Sequence, residues 1–282
     1  MITLSDVANA VNYPEAEREI EEFLSSYVLK AGAKGVVVGL SGGVDSSVTA
    51  SLAARALGPE RVMALILPSK ATPQSDVDDA VRLARSLGVR YRVVEVDPVL
   101  KAYEQILPEY DGGDLIARGN LTARIRMAAL YYYANRLDYL VAGTGDKSEL
   151  MLGYFTKYGD GGVDLLPIGD LYKTQVRMMA KHLGIPDEIA LKPSSPRLWV
   201  GQTAEGELGV KYSDIDLVLY ARELGIPPDA IPANTGVPPD VVKKVLARVE
   251  ENEHKRRPPP VAKLLKGRRT TAGPSIYTSR RL

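Results

Sequence analysis

The stretch Val36-Val37-Val38-Gly39-Leu40-Ser41-Gly42-Gly43-Val44-Asp45-Ser46-Ser47 constrains this chain more than any other. Three consecutive valines predict a buried β-strand over 35–40, and the glycines after it make the backbone turn at once. Gly39, Gly42 and Gly43 also let the backbone come close to a ligand, because no Cβ stands in the way. A helix over 44–57 follows, so its first N–H groups lack partners and point back at the loop. Unpaired amides at a helix N-terminus, flanked by the hydroxyls of Ser41, Ser46 and Ser47, form a nest for phosphate or pyrophosphate. Asp45 stands inside that nest. A carboxylate beside bound phosphate needs a cation between them, and Mg²⁺ is the usual companion of nucleotide phosphates. The Walker pattern GxxxxGK followed by Ser or Thr is absent, since no lysine occurs between Lys34 and Lys70. A plain capped glycine turn is the alternative, and the order SGG-x-DS directly after a valine strand argues against it.

The 282 residues suffice for one large or two small domains with a real core. A net charge of +1 supplies no global field to recruit nucleic acid or a membrane surface, although His254 to Arg281 is locally basic. No apolar run reaches the length of a membrane span, and the acidic, amphipathic N-terminus is wrong for a secretory signal. The expectation is a cytoplasmic protein with no nucleic-acid and no membrane partner. The cysteine count is zero, which excludes disulfides, thiolate metal sites, persulfide relays and cysteine nucleophiles. A glutaminase activity built on cysteine is excluded with them.

Residues 5–30 read as helix in two pieces, with Pro14 opening the second. Further strands are expected at 61–67, 90–96 and 139–142. Helices are expected at 73–87, stopped by Gly88, at 97–107, and at 120–136 with an apolar stripe. A turn falls at Asp111-Gly112-Gly113. Strands alternating with helices predict an α/β fold: a doubly wound, mostly parallel sheet with helices on both faces. Right-handed crossovers place the loops after each strand on one edge, so 39–43 and 143–145 should converge there on one ligand. Beyond residue 150 the segments 153–170 and 192–212 are long, glycine-rich or proline-rich, and aperiodic. Such loops are functional or disordered, and 192–212 reads as a mobile lid. Helices follow at 172–183, 213–224 and 238–255. The chain divides into one domain over 1–257 and a basic, proline-broken, extended tail over 258–282.

After the fourth strand, Gly143 and Gly145 again permit close backbone approach, and Asp146 reads as the cap of a helix. Glu149 then lies in the first turn, where it either shares Mg²⁺ with Asp45 or compensates the helix dipole. Lys157 and Lys173 bracket Asp160 and Asp164 along and just after a segment with little apolar content, for which a solvated loop is the alternative reading.

The SGG-x-DS stretch resembles the PP-loop of the N-type ATP pyrophosphatases, whose fold is of the adenine nucleotide alpha hydrolase kind and which cleave ATP between its α and β phosphates. The run GT…E…GYFTKYGDGGVDLLPIGDLYKTQV, the helix GNLTARIRM and a late Glu-His-Lys follow in order over nearly the whole chain. Together they resemble the NAD synthetases of the ammonia-dependent, single-domain kind. That resemblance implies a ligase that amidates deamido-NAD with ammonia, through an adenylated intermediate, giving NAD, AMP and pyrophosphate with ATP and Mg²⁺. It also implies a homodimer, with which the run Leu130-Tyr131-Tyr132-Tyr133 is compatible.

Carried over by position, Gly39, Leu40, Ser41, Gly42, Gly43, Val44, Asp45 and Ser46 match the ATP loop. Thr144 and Lys173 match ATP contacts, and Ser195 aligns with a family threonine that touches ATP. Asp45 and Glu149 match magnesium ligands and, with Lys173, make up the catalytic set. Arg124, Lys157, Asp164, His254 and Lys255 match contacts to deamido-NAD. Val44 replaces a common glutamine, GTGDKSE replaces GTDHAAE, and KPSSPRLW around Ser195 departs from the family pattern. The first two departures look archaeal and remove no expected ligand. The competing readings are another PP-loop amide- or adenylate-forming ligase, and a nucleotide-binding regulatory protein without turnover. The second has no use for the carboxylate pair Asp45 and Glu149.

Overall fold

The computed structural model describes residues 1–262. Helices α1 (Leu4–Asn9) and α2 (Tyr13–Lys30) open the chain. Pro14 sits in the first turn of α2, and the Asn12 side chain accepts from the Glu15 N–H at 3.3 Å. The repeating core is β1 (Gly35–Gly39), α3 (Val44–Leu57), β2 (Val62–Ile66), α4 (Gln74–Ser86), β3 (Arg90–Val93), α5 (Asp97–Ile106), α6 (Leu115–Leu137) and β4 (Tyr139–Ala142). Then come α7 (Lys147–Leu152), α8 (Lys173–His182), α9 (Asp187–Ala190), α10 (Ala204–Leu208), α11 (Tyr212–Glu223), α12 (Ile231–Thr235) and α13 (Pro239–Glu251).

The four strands are parallel, in the order β3-β2-β1-β4. The chain winds outward from β1 to β3 and returns as β4 on the other side of β1, so the strand order reverses between β1 and β4. Ligands bind at such reversals, beyond the carboxyl ends of the strands. Strand side chains alternate between two cores. Val36, Val38, Ala64 and Ile66 pack with Leu24 of α2, Val48 of α3, Leu83 of α4 and Met179 of α8. Val37, Met63, Leu65 and Val141 face the other way, onto Leu100 of α5 and Ile125 of α6. Both faces of the sheet are therefore covered, which is why the central strands are almost wholly apolar. A third cluster joins Val7 of α1 and Leu152 of α7 to the inner faces of α10, α11, α12 and α13.

Several boundaries differ from the sequence expectation. Helix α6 begins at Leu115 rather than 120, because the Asp114 side chain caps it, accepting from the Ala117 N–H at 2.9 Å. Gly119 is tolerated inside that helix, where Leu198 and Trp199 pack closely against it. Strand β3 ends at Val93, although single backbone bonds from Val94 to Ile66 (2.9 Å) and Val96 to Pro68 (3.0 Å) prolong its contact with β2. Helix α13 stops at Glu251, and His254 and Lys255 lie in a separate 3₁₀ turn. The 192–212 segment contains α10 and the first residue of α11. The short helices α9 and α12 have no counterpart in the sequence expectation; at four and five residues they carry no usable period. Residues 258–262 are exposed and without regular structure, and the rest of the proposed tail lies outside the described residues. Among the described residues no helix is long and apolar enough to cross a membrane.

Candidate active site

The carboxyl ends of β1, β2 and β4 open into a cavity of about 400 Å³. Both glycine loops line it, through Gly39, Ser41 and Gly43 on one side and Gly143 and Thr144 on the other. The convergence expected from the βα pattern is thus observed. The first loop is folded on itself by its hydroxyls. Ser41 N–H donates to Ser46 Oγ at 3.1 Å, and the Ser46 and Ser47 hydroxyls donate to the Gly43 carbonyl oxygen at 3.1 and 2.8 Å. Gly42 has φ +80°, and a Cβ there would collide with the Asp76 carbonyl oxygen, so only glycine serves. No side chain caps α3. The N–H groups of Gly42, Val44 and Asp45 find no partner among the described residues, which leaves them free for an anion.

Beside these amides, Lys173 Nζ is held by three carboxylates. It lies 2.7 Å from Asp45, 3.0 Å from Glu149 and 3.1 Å from Asp146 Oδ2. Lys173 and Asp146 are fully buried, while Asp45 and Glu149 each keep 19% of their side-chain surface at the cavity. Asp146 Oδ1 caps α7, accepting from the Glu149 N–H at 2.8 Å, and Glu149 Oε2 accepts from the Asp146 N–H at 3.4 Å. The other oxygen of Asp146, Oδ2, accepts no hydrogen bond among the described residues and meets Lys173 Nζ as an ion pair. Burial, partly offset by Lys173 and reinforced by Asp45, pushes the Glu149 carboxyl up to about 7. Burial likewise raises Asp146. Burial opposes the charge on Lys173, but Asp146, Asp45 and Glu149 outweigh it and hold its pKa well above the usual range.

Oxygens of Asp45, Asp146 and Glu149 lie within 4.8 Å of one another. An all-carboxylate donor set suits a hard cation such as Mg²⁺, and one ammonium does not balance three carboxylates. Asp146, whose Oδ2 has Lys173 Nζ as its cation here at 3.1 Å, supplies the third oxygen of the set. The residues present therefore fit a magnesium site.

A scaffold of longer-range bonds supports this cluster. Asp216 on α11 is fully buried; it accepts from the Ser148 hydroxyl at 2.5 Å and from the Thr174 N–H at 2.7 Å. Ser148 in turn accepts from the Lys173 N–H at 3.0 Å. The Tyr212 ring lies 5.1 Å from Lys173 Nζ. Sequence reasoning read Asp146 only as a cap and passed over Asp216 and Tyr212. A lone aspartate inside the apolar run IDLVLYA of α11 was the available signal for Asp216.

The 192–203 segment is pinned to the cradle rather than loose. Lys192 Nζ donates to Asp76 (2.8 Å), Asp79 (2.6 Å) and the Gly42 carbonyl oxygen (3.0 Å), and Arg197 Nε donates to Asp76 at 2.8 Å. Ser195 lines the cavity, with its hydroxyl turned into its own loop onto the Gln202 carbonyl oxygen at 2.6 Å.

The residues expected to touch a dinucleotide are dispersed. Lys255 lines the cavity and donates to the carbonyl oxygens of Gly153 (2.7 Å) and Phe155 (2.9 Å). Arg124, Lys157 and His254 form an adjoining group away from the cavity lining. In it Arg124 reaches the Lys157 carbonyl oxygen at 3.3 Å, and Lys157 Nζ reaches that of His254 at 3.0 Å. Asp164 faces β4, accepting from the Val141 N–H at 2.7 Å and the Tyr131 hydroxyl at 3.0 Å.

Residues 16–259 match the family model described as NAD synthase. An NH(3)-dependent NAD(+) synthetase of Hyperthermus butylicus is 55% identical over 92% of this chain and 94% of its own length. An NMN synthetase structure from Francisella tularensis superposes with a TM-score of 0.79 at 33% identity, covering 89% of this chain and 99% of that one. An NH3-dependent NAD synthetase from Campylobacter jejuni gives 0.76 at 31%, covering 90% of this chain and all of that one. With a phosphate cradle and a carboxylate cluster at the strand-order reversal, and with that similarity across most of its length, the chain belongs to the NAD synthase family.

Proposed function

We propose that this chain is a ligase that amidates the nicotinate carboxylate of deamido-NAD with ammonia, consuming ATP and releasing NAD, AMP and pyrophosphate. The observation that carries the proposal is the set of unpaired α3 amides facing the same cavity as the Asp45–Asp146–Glu149 cluster. A carboxylate is a poor electrophile until its oxygen becomes a leaving group, and transfer of the AMP moiety of ATP onto it does that. Ammonia then displaces AMP at the acyl carbon. Both steps build negative charge at oxygen, so prearranged donors contribute most of the catalysis.

The amides of Gly42, Val44 and Asp45 bind phosphate oxygens, and Thr144 approaches the nucleotide from the β4 loop. Asp45 and Glu149, with Asp146 behind them, would hold Mg²⁺, which when bound would supply positive charge against that developing on the phosphates. Asp146 orients Glu149 through their reciprocal bonds. Lys173, expected as an ATP contact, is fully buried behind Asp45 and Glu149 and outside the cavity lining, so it acts on the nucleotide through the carboxylates that it gathers. Lys255, with Arg124, Lys157, His254 and Asp164, serves deamido-NAD. The same proposal includes a cytoplasmic location and a homodimer. The exposed rings of Phe23, Tyr27 and Tyr132 favour a second copy, because exposed aromatics are typical of interfaces.

The test is a steady-state assay with ATP, Mg²⁺, ammonium and deamido-NAD, following NAD and AMP together. Equal yields of both support the proposal. AMP release with another acceptor but not this one overturns the acceptor assignment, and no AMP with any acceptor overturns the ligase. Because a neighbour of similar fold is an NMN synthetase, the acceptor cut down to its mononucleotide belongs in the same assay.

A further inference from the structure

Helix α6 carries two arginines two residues apart, and a step of about 100° per residue puts them on opposite faces. Arg124 is exposed and spends its guanidinium on the Lys157 carbonyl oxygen. Arg126 turns into the cavity beside Ala123 and Met127. Its Nε donates to the Leu67 carbonyl oxygen at 3.0 Å, just past the carboxyl end of β2. Neither Nη1 nor Nη2 makes a hydrogen bond or ion pair with any described residue.

Lys192 and Arg197 of the same wall are paired with Asp76, and Lys255 is held by two carbonyl oxygens. Arg248 also lacks a hydrogen bond from its guanidinium among the described residues, but that group lies 6.0 Å from the Tyr154 ring and is not fixed in plane by a bond to a carbonyl oxygen, as Arg126 is. The lining beside Arg126 in sequence and at its Nε bond is apolar, through Met127, Leu130 and Leu67. Burial pulls its guanidinium pKa down, opposed by the more distant Asp160 and Asp97. Asp160, in the same cavity lining, and Asp97 act on it only at a distance, and no carboxylate of the described residues touches the guanidinium. The single bond from Nε fixes the plane of the group and leaves the two terminal nitrogens, a fork shaped for two oxygens of one anion.

Resting on the amidation proposed above, we infer that Arg126 is a substrate-binding residue whose free guanidinium fork takes a phosphate or carboxylate oxygen of a bound substrate. The anion comes either from the triphosphate of ATP or from the acceptor dinucleotide, through its carboxylate or its pyrophosphate. The chemistry is the same, and the two sources separate in the experiment.

The experiment compares Arg126→Gln and Arg126→Lys with the unaltered chain. It reads KM for ATP and for deamido-NAD separately, and equilibrium binding of each nucleotide by calorimetry without ammonia. Arg126→Gln is expected to weaken one of the two nucleotides by about tenfold to a hundredfold, with a smaller change in kcat. Arg126→Lys, which keeps the charge and loses the fork, should recover part of that loss and also reports should the glutamine variant fail to fold. An effect confined to ATP assigns the anion to the triphosphate, and one confined to deamido-NAD assigns it to the acceptor. Unchanged affinity for both nucleotides, or a loss confined to kcat, overturns the assignment. Should the unaltered chain bind both nucleotides yet make no NAD, the amidation falls, while the two binding measurements still decide for or against Arg126.

Discussion

The two walls of the cavity are built differently. The phosphate side is assembled from short-range geometry: a strand end, a loop folded on its own hydroxyls, and two helix starts at α3 and α7. Its carboxylates converge on one buried ammonium. The opposite side, made by 153–163, 192–203 and the 3₁₀ turn at Glu253–Lys255, has almost no regular structure. It is held by side chains that reach backbone across long sequence gaps, such as Lys255 to Gly153 and Phe155, and Arg256 to Met151 at 2.6 Å. Gly153 sits under Asn252 with φ +62°, where a Cβ would clash, so even the backbone of this wall depends on the C-terminal turn. A cluster of concentrated charge tolerates no change of position. A wall of dispersed tethers changes more gradually.

That contrast is most sharply tested at Lys173. Lys173→Met leaves Asp146 buried beside two further carboxylates with no counter-charge. Removing one partner of a buried ion pair costs about 3–5 kcal/mol of stability. Urea unfolding should show that loss, and Mg²⁺ should restore part of it. A variant as stable as the parent without Mg²⁺ would break the picture of a charge-locked wall.

Asp45→Ala and Glu149→Ala come next, each removing several kcal/mol of transition-state stabilisation at limiting Mg²⁺. Turnover near the parent value in either variant would remove these residues from the metal site.

The protonation of Glu149 gives a third effect, with a definite sign. Its folded value of about 7 exceeds the ordinary 4.5, so the folded protein holds the proton more tightly than the unfolded one. Without metal, the contribution of Glu149 to stability should therefore be fully present below about 4.5 and be lost as pH rises through about 7. Mg²⁺ affinity should run the other way, rising over that window as the carboxylate is freed. Melting temperatures across that range, with and without Mg²⁺, read both trends, and Glu149→Gln should flatten them.

On the dispersed side the effects should be smaller. Asp76→Asn weakens the pairing of Lys192 and Arg197, at a cost of about 1–3 kcal/mol. Faster proteolysis within 192–203 should accompany it; unchanged protection would mean that the segment is held by its packing. Lys157→Ala, which alters a tether outside the cavity lining, should raise the KM for deamido-NAD by about tenfold or less while moving kcat little. A pure kcat effect would contradict its assignment to the acceptor.

The same contrast governs what could be read in advance. Strands β1, β2 and β4 and helices α3, α4, α5 and α8 lie within a few residues of their expected places, because glycine stops and apolar periods are local signals. The pairing of Asp45 with Glu149 followed from two post-strand loops sharing one sheet edge. Asp146 was legible as a cap but not as a third carboxylate of the cluster, since one oxygen obeys a local rule and the other faces a lysine 27 positions later. The tethers of 192–203 were not legible at all. Lys192 and Asp76 are separated by 116 positions, and nothing near either residue announces the other. Arg124 and Arg126 look alike in a motif, and only the rotation of α6 against the sheet sends one outward and the other into the cavity.

The amino-acid sequence by itself determined the α/β winding, the glycine cradle with its unpaired amides, and the carboxylates at two strand ends. Each follows from interactions between residues a few positions apart, where backbone sterics and helix ends dominate. Tertiary structure alone decided that Lys173 is enclosed by three carboxylates, that Asp216 props up their scaffold, and that Arg126 keeps a free guanidinium in the wall. Those outcomes depend on burial and on charges brought together from distant segments, and a desolvated charge takes its character from neighbours that only the folded chain provides.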